Sequence, residues 1–357
     1  LVRSPGGYLG EDIDVLYEFI HSGDPEKRAF GNRTIRDNLM RASMDRATGD
    51  YNEFWASRDY LNQMAPMKAA LLMSHGFNDW NVMPEHSYRI YNKARAMGIP
   101  AQIYYHQDGH GGPPPVKMMN RWFTKYLFEI DNGVENDSKA WIVRERDSQD
   151  QPTAYTDFPN PSAESVILFL QKGGNDAGTL SSKRSSKEKE SLIDNANYSG
   201  EYLARAKSSN HRLLYTTPIL SQDLHLSGTV SIEIKMASSK PAANLSVWLV
   251  ALPWEDHKNA EIYDNIITRG WADPQNSKSL TESKPLDPGN FYTLNFDLQP
   301  DDQIIPAGQQ IGLMIFSSDQ EFTLHPEPGT ILTLDLKDTK IILPIVGGVS
   351  ALRKALE

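Results

Sequence analysis

Asp79 and His110 are the two residues of this sequence best placed for proton-transfer chemistry. Asp79 lies in the loop Gly76-Phe77-Asn78-Asp79-Trp80-Asn81-Val82. His110 stands between Gly109 and Gly111-Gly112, and each loop follows an apolar run that reads as a buried strand. In serine hydrolases of the α/β type the nucleophile, the acid and the histidine follow one another along the chain in that order. The acid fixes the imidazole tautomer and stabilises the imidazolium, while the histidine takes the serine proton and returns it to the leaving group. Asp79 and His110 fit the last two places. The first is not filled, because no Gly-x-Ser-x-Gly elbow occurs in the chain. A plainer assignment makes Asp79 a cap for a helix near Pro84 and His110 a polar loop residue, and spacing alone leaves both open.

Other residues compete for these roles. His75 and His106 fall at strand ends, where packing or a main-chain hydrogen bond is the expected job, and His86 falls inside an expected helix. Asp108 lies two residues from His110. The flanking glycines favour His110, since they let its loop project the side chain. No His, Asp or Glu cluster shows metal-ligand spacing, and no glycine-rich phosphate loop precedes a helix. No metal or organic cofactor is therefore expected.

The elements that must hold these loops alternate between helix and strand up to about residue 131. Val15, Leu16, Phe19 and Ile20 repeat at helical spacing, and a second helical stretch runs through Ile35, Leu39, Met40 and Met44. Ala69 to Met73 is an all-apolar run, as expected of a parallel strand covered on both faces. Pro84 opens a helix striped by Tyr88, Tyr91, Ala94 and Met97 and closed by Gly98. Ile99 to His106 reads as the next strand, and Val116, Met119, Phe123, Tyr126 and Leu127 mark a last helix. Beyond Asp131-Asn132-Gly133, short β-branched and aromatic segments replace helices, among them Trp141-Ile142-Val143, Val166 to Leu170, Val230 to Ile234, Leu245 to Val250 and Ile311 to Phe316. Ser181 to Lys189 is hydrophilic and reads as a solvated loop.

The expected fold is α/β plus all-β: the C-terminal part of an α/β-hydrolase domain over residues 1–131, with a helical insertion at about 12–60, then a β-sandwich over 132–357. Two parallel strands alone make a marginal sheet. The rest of the sheet is therefore expected elsewhere, upstream in the same polypeptide or on a companion chain. The chain has 357 residues, a net charge of -10 and no cysteine. That charge disfavours a nucleic-acid partner, and the missing cysteines exclude disulfides and thiolate chemistry. No apolar run is long enough to span a bilayer. Compartment, cytoplasmic or exported, stays open, as does a homodimer.

Several segments resemble the Xaa-Pro dipeptidyl-peptidase family of bacterial serine hydrolases. They are Pro5-Gly6-Gly7-Tyr8-Leu9-Gly10-Glu11-Asp12, Arg46 to Trp55 and His75 to Val82. The C-terminal half agrees, with Ile267-Thr268-Arg269-Gly270-Trp271, Ile304 to Leu313 and Pro328-Gly329-Thr330 similar to that family's non-catalytic jelly-roll domain. The wider superfamily includes cocaine esterase, glutaryl acylases and α-amino acid ester hydrolases. The resemblance implies a peptide substrate with a free N-terminus and a penultimate proline, cleaved through an acyl-enzyme. It implies that Asp79 and His110 are catalytic and that Glu11 receives the substrate ammonium. It also implies that the nucleophilic serine and an oxyanion tyrosine precede residue 1. Tyr8, Trp80 and Val82 are candidate walls of a proline pocket. An ester or β-lactam acyl hydrolase on the same scaffold is the alternative substrate class. An inert structural or binding fragment is the alternative for the isolated chain.

Overall fold

The computed structural model describes residues 23–45, 47–145, 147–255, 265–320, 322–323 and 325–357. Tyr8, Glu11 and the helical repeat at 15–20 lie outside the described residues.

A four-stranded sheet comes first, in the order β1 (Leu71–Gly76), β2 (Ala101–His106), β3 (Ala140–Ile142) and β4 (Thr153–Tyr155). β2 is parallel to both β1 and β3, and β4 closes the edge antiparallel to β3. Every residue of β2 is buried, as a strand flanked on both sides and covered on both faces requires. The first helical segments are α1 (Pro25–Gly31), a π-helical continuation over Asn32–Arg41, and the single turn α2 (Glu53–Ala56). The helix α3 (Glu85–Ala96) starts after Pro84, and Gly98 ends the connection to β2 with φ of 74°. Its Tyr91 and Ala94 are fully buried in an apolar core shared with Ile103, Tyr105, Ile142 and Phe158.

Trp141-Ile142-Val143 was expected among the sandwich strands, and the pairing assigns it otherwise. β3 follows the helix α4 (Val116–Tyr126) and pairs parallel with β2, so β2–α4–β3 is a βαβ crossover. The small sheet thus continues to Tyr155, past the change of character at residue 132. The segment is too short to display a period of its own, and its place after a helix is what determines its partner. The residues that marked α4 in the sequence are not the ones it buries most deeply. Val116, Phe123 and Leu127 are exposed, and Trp122 is the residue that packs inward.

The remaining strands, from β5 (Ala163–Gln171) to β15, form one hydrogen-bonded ladder that folds over itself as a sandwich around a large apolar core, with a smaller cluster around Leu214, Trp248 and Met314. The long strand β9 (Leu224–Ser238) organises it, pairing with β12 (Phe291–Ile305) along one edge and with β14 (Ile331–Asp335) and β15 (Lys340–Val346) along the other. Val230, Ile232, Ile234 and Met236 alternate into the core, as the period of a strand dictates. The fully buried Arg212 is held by main chain: its guanidinium donates to the carbonyls of Gly174, Asn175, Leu203 and Ala206.

Where β12 shifts register between Asp297 and Pro300, it locks onto the small sheet. The Gln299 side chain accepts the Glu85 amide at 3.2 Å and so caps α3. Glu145 accepts the Ile304 amide at 2.7 Å. Asp302, completely buried, takes hydrogen bonds from Arg144, His225 and Ser227. A second clamp lies on the helical side, where Asp50 accepts from Asn276 and from the Ser283 amide, each at 2.8 Å.

Removing one partner of a buried ion pair leaves an uncompensated charge, at a cost of about 3–5 kcal/mol. Asp302→Ala should therefore lower the unfolding free energy by about that amount in urea titrations, because the nearly buried Arg144 would keep its charge without its carboxylate. A loss below about 1 kcal/mol, the range of surface pairs, would show that the contact carries little of the interface.

Candidate active site

The register of β1 with β2 decides where the two loops emerge. Leu71 pairs with Ala101 and Gly76 with His106, so both strands end level at the C-terminal edge of the sheet. That edge is where parallel α/β sheets present ligands. Asp79 follows Gly76 by three residues and His110 follows His106 by four, and the loops are tied together before either side chain is placed. The Phe77 amide donates to the His106 carbonyl at 2.8 Å, and the Asn78 side chain donates to the Gln107 carbonyl at 2.7 Å. The Phe77 ring stacks on Tyr105 with centroids 4.3 Å apart.

Two glycines make this approach possible. A Cβ on Gly76 would lie 2.2 Å from the Asp108 carbonyl oxygen, so no other residue fits at the end of β1. Gly112 has φ of 87°, and a Cβ there would meet the His106 ring at 2.6 Å. The loop folds back over the buried His106, whose Nε2 lies 2.6 Å from the Gly111 carbonyl. His110 is left pointing outward, with 65% of its side chain exposed.

The Asp79 carboxylate accepts on both oxygens. Oδ1 takes the amides of Asn81 at 3.0 Å and Val82 at 2.9 Å, while Oδ2 receives His110 Nδ1 at 2.8 Å. Burial alone would raise this carboxyl. The bonds from the Val82 amide, His110 and the Asn81 amide outweigh it and hold the group below its ordinary value. With Nδ1 donating to Asp79, the free nitrogen of His110 is Nε2, oriented to accept a proton from a third group. An open cavity of about 350 Å³ lies over the pair, lined by Ser74, His75, Asp79, Val82, His110 and Pro113 among others. Among the described residues, no group of three or more His, Asp or Glu is arranged to hold a metal ion, and no helix is long and apolar enough to cross a membrane.

The expected site residues are placed unevenly. Asp79 and His110 meet, and Val82 lines the cavity beside them. Trp80 is not among the lining residues. It turns to the sandwich, where the Arg269 guanidinium lies 3.7 Å from its ring centroid, with Trp271 edge-on at 6.4 Å. An indole beside a catalytic-type acid reads as a pocket wall when the partner across the interface is unknown. Tyr8 and Glu11 lie outside the described residues. His106 and His75 each contact a main-chain carbonyl, Gly111 and Val82, as their strand-end positions imply. What sequence reading did not single out is that His75 also lies 3.3 Å from Asp79 Oδ2.

A carboxyl held below its ordinary value of 3.8 contributes stability that is fully present above the unfolded value and is lost as pH falls through the lowered folded one. The unfolding midpoint of the unsubstituted protein should exceed that of Asp79→Asn by a constant margin above about pH 5. The margin should shrink below about pH 4, and a margin independent of pH across thermal melts would contradict this account of the carboxylate.

The X-Pro dipeptidyl-peptidase (S15 family) matches residues 1–112, and the X-Pro dipeptidyl-peptidase C-terminal non-catalytic domain matches residues 132–350. A relative from Rhodopirellula baltica carrying the Xaa-Pro dipeptidyl-peptidase name is 59% identical over 98% of this chain and 56% of that protein. Another, from Bacillus anthracis and with the same name, is 35% identical over 97% of this chain and 56% of that protein. The chain thus spans about half the length of the curated relatives it matches. Among solved structures, an aminopeptidase from a marine-sediment Thaumarchaeota archaeon superposes with a TM-score of 0.69 at 14% identity, covering 93% of this chain and 64% of that one. That likeness is one of fold, an α/β part joined to a β-rich part. With family matches in both halves and a relative of 59% identity along almost its whole length, the chain belongs to the X-Pro dipeptidyl-peptidase (S15) family of serine peptidases.

Proposed function

We propose that this chain is the C-terminal portion of a serine exopeptidase that releases Xaa-Pro dipeptides from peptide N-termini through an acyl-enzyme. The observation that carries the reading is the 2.8 Å contact of His110 Nδ1 with Asp79 Oδ2 at the C-terminal edge of parallel strands. In this reading His110 Nε2 takes the proton of a serine as that oxygen attacks the carbonyl after proline, then delivers it to the leaving amine. Asp79 holds the ring and offsets the charge it acquires. Glu11 is assigned the substrate ammonium, which lets the enzyme measure two residues from the peptide's start. Val82 forms part of the wall facing the proline, and Tyr8 is assigned a place beside it.

The serine and the oxyanion donors are assigned to residues outside this sequence. Two observations support that. No Gly-x-Ser-x-Gly elbow occurs in the chain. Among the described residues β1 also has no strand on its outer side, and its Leu71 to Ser74 are only partly covered although the run is apolar. A parallel strand that begins with the apolar run Leu71 to Met73 and lies at an open edge fits a further strand from the preceding half of a hydrolase domain.

In the complete enzyme, Asp79→Asn and His110→Ala should each reduce kcat/KM on a Gly-Pro anilide by about three orders of magnitude or more. Near-normal turnover in either would remove the catalytic assignment. Glu11→Gln should damage turnover of free-amine substrates and spare simple aryl esters. If N-acetylated substrates or esters are preferred by the unsubstituted enzyme, the activity is acyl-ester hydrolysis and not dipeptide release. The 357-residue chain alone should resist labelling by a fluorophosphonate.

A further inference from the structure

His75 is nearly as buried as the carboxylate it approaches, and all three of its polar contacts are defined. Its Nε2 lies 2.7 Å from the Val82 carbonyl oxygen and 3.3 Å from Asp79 Oδ2. Its Nδ1 meets the hydroxyl of Ser87, in the first turn of α3. Both neighbours of Nε2 are acceptors, so that nitrogen carries the hydrogen. Nδ1 then presents a lone pair, and the Ser87 hydroxyl donates to it. Burial holds the imidazole below its ordinary value against the opposing pull of the Val82 carbonyl and the Asp79 charge, which agrees with a ring carrying one hydrogen. The charged or titratable groups around it are Asp79, His86 and His106, with His110 on the far side of the carboxylate.

These contacts close a ring of bonds around the acid. Asp79 Oδ1 is held by the amides of Asn81 and Val82, and the Val82 carbonyl is held by His75. The end of β1, the far end of the acid loop and the start of α3 are thus joined through one imidazole. We propose that His75 is a positioning residue, whose Nε2–H, directed at the Val82 carbonyl and Asp79 Oδ2, fixes the carboxylate to which His110 is bound. In this role it acts through Asp79 and not on the reacting atoms. The inference deepens the catalytic reading of Asp79 and His110, and its relevance to turnover rests on that reading.

Histidine-selective 15N labelling of the whole chain tests the tautomer. His75 should show a protonated Nε2 and an unprotonated Nδ1 at neutral pH, and the reverse pattern or an imidazolium overturns the proposal. Hydrogen exchange then tests the consequence. In His75→Phe the amides of Asn81 and Val82 should exchange about tenfold faster, the loss of one charge-assisted bond. His75→Gln should restore the unsubstituted rate, because its carboxamide N–H reaches the place of Nε2. A purely space-filling role predicts the opposite order, with Phe tolerated and Gln not. If His75→Phe does not fold, Ser87→Ala reads the same link, since removing the hydroxyl releases the Nδ1 side of the ring, loosens its hold on the Val82 carbonyl and should speed exchange at the same two amides. Unchanged exchange in Ser87→Ala and in any folded His75→Phe sinks the inference.

In the complete enzyme His75→Phe should lower kcat on Gly-Pro anilide about ten- to hundredfold with KM little changed, as a misplaced catalytic group does. Failure of the two readings is distinguishable. If the tautomer and exchange results hold while His110→Ala still turns over substrate, the positioning role stands and the catalytic reading falls. If His110→Ala is inactive and His75→Phe keeps its kcat, the positioning role alone falls.

Discussion

The parallel pairing of Leu71–Gly76 with Ala101–His106 is the constraint from which the site follows. Because Gly76 lies level with His106, the chain has only a few residues on either side in which to bring an acid and an imidazole together. A slip of one residue in this pairing would turn each side chain of β1 to the opposite face. The buried His75 and Phe77 would then face the wrong way. Gly76 permits the contact sterically, since the main chain of Asp108 and Gly109 occupies the space where a side chain would be. The 2.8 Å bond between Asp79 and His110 is thus the end point of backbone geometry that the two strands set first.

The sandwich takes part in that geometry more than a non-catalytic label implies. Its strand β12 caps α3 through Gln299, and α3 carries the Ser87 that meets His75. Asp302 gathers Arg144 from the small sheet and His225 and Ser227 from the sandwich onto one carboxylate. The Arg269 guanidinium is stacked on Trp80, immediately beside Asp79, and also lies over Phe322. Each contact is polar or cationic and shielded from water, where its strength is greatest and where a missing partner is most costly.

The pairing of Asp79 with His110 was legible because a loop after an apolar run is a strong local pattern and the chain order of acid and histidine is fixed. The helix from Glu85 was equally plain, with Pro84 at its start, Gly98 beyond its end and Tyr91 and Ala94 on its inner stripe. The strand at Trp141 was misassigned because three residues carry no period, and its partner lies 37 residues back at Tyr104 across a helix. The packing of Trp80 on Arg269 was not legible, because sequence shows what flanks a residue and not what crosses to it from nearly two hundred positions away. Asp302, inside a strand of the sandwich, gave no local signal at all. A buried charge is recognisable only with its partners, and here these are Arg144, after β3, and His225 and Ser227, both on β9.

Enclosure of the Arg269 guanidinium between the rings of Trp80, Phe322 and Trp248 has a dynamic meaning. Two parts of one chain ordinarily rock against each other unless something prevents it. Here any parting along that seam would pull apart a cation and the ring faces that shield it, and would strip Asp302 of donors on one side. The seam therefore acts as a weld and not as a hinge. The cavity beside Val82 and Pro113 is thus borne on a part of the chain that the sandwich holds in a fixed place.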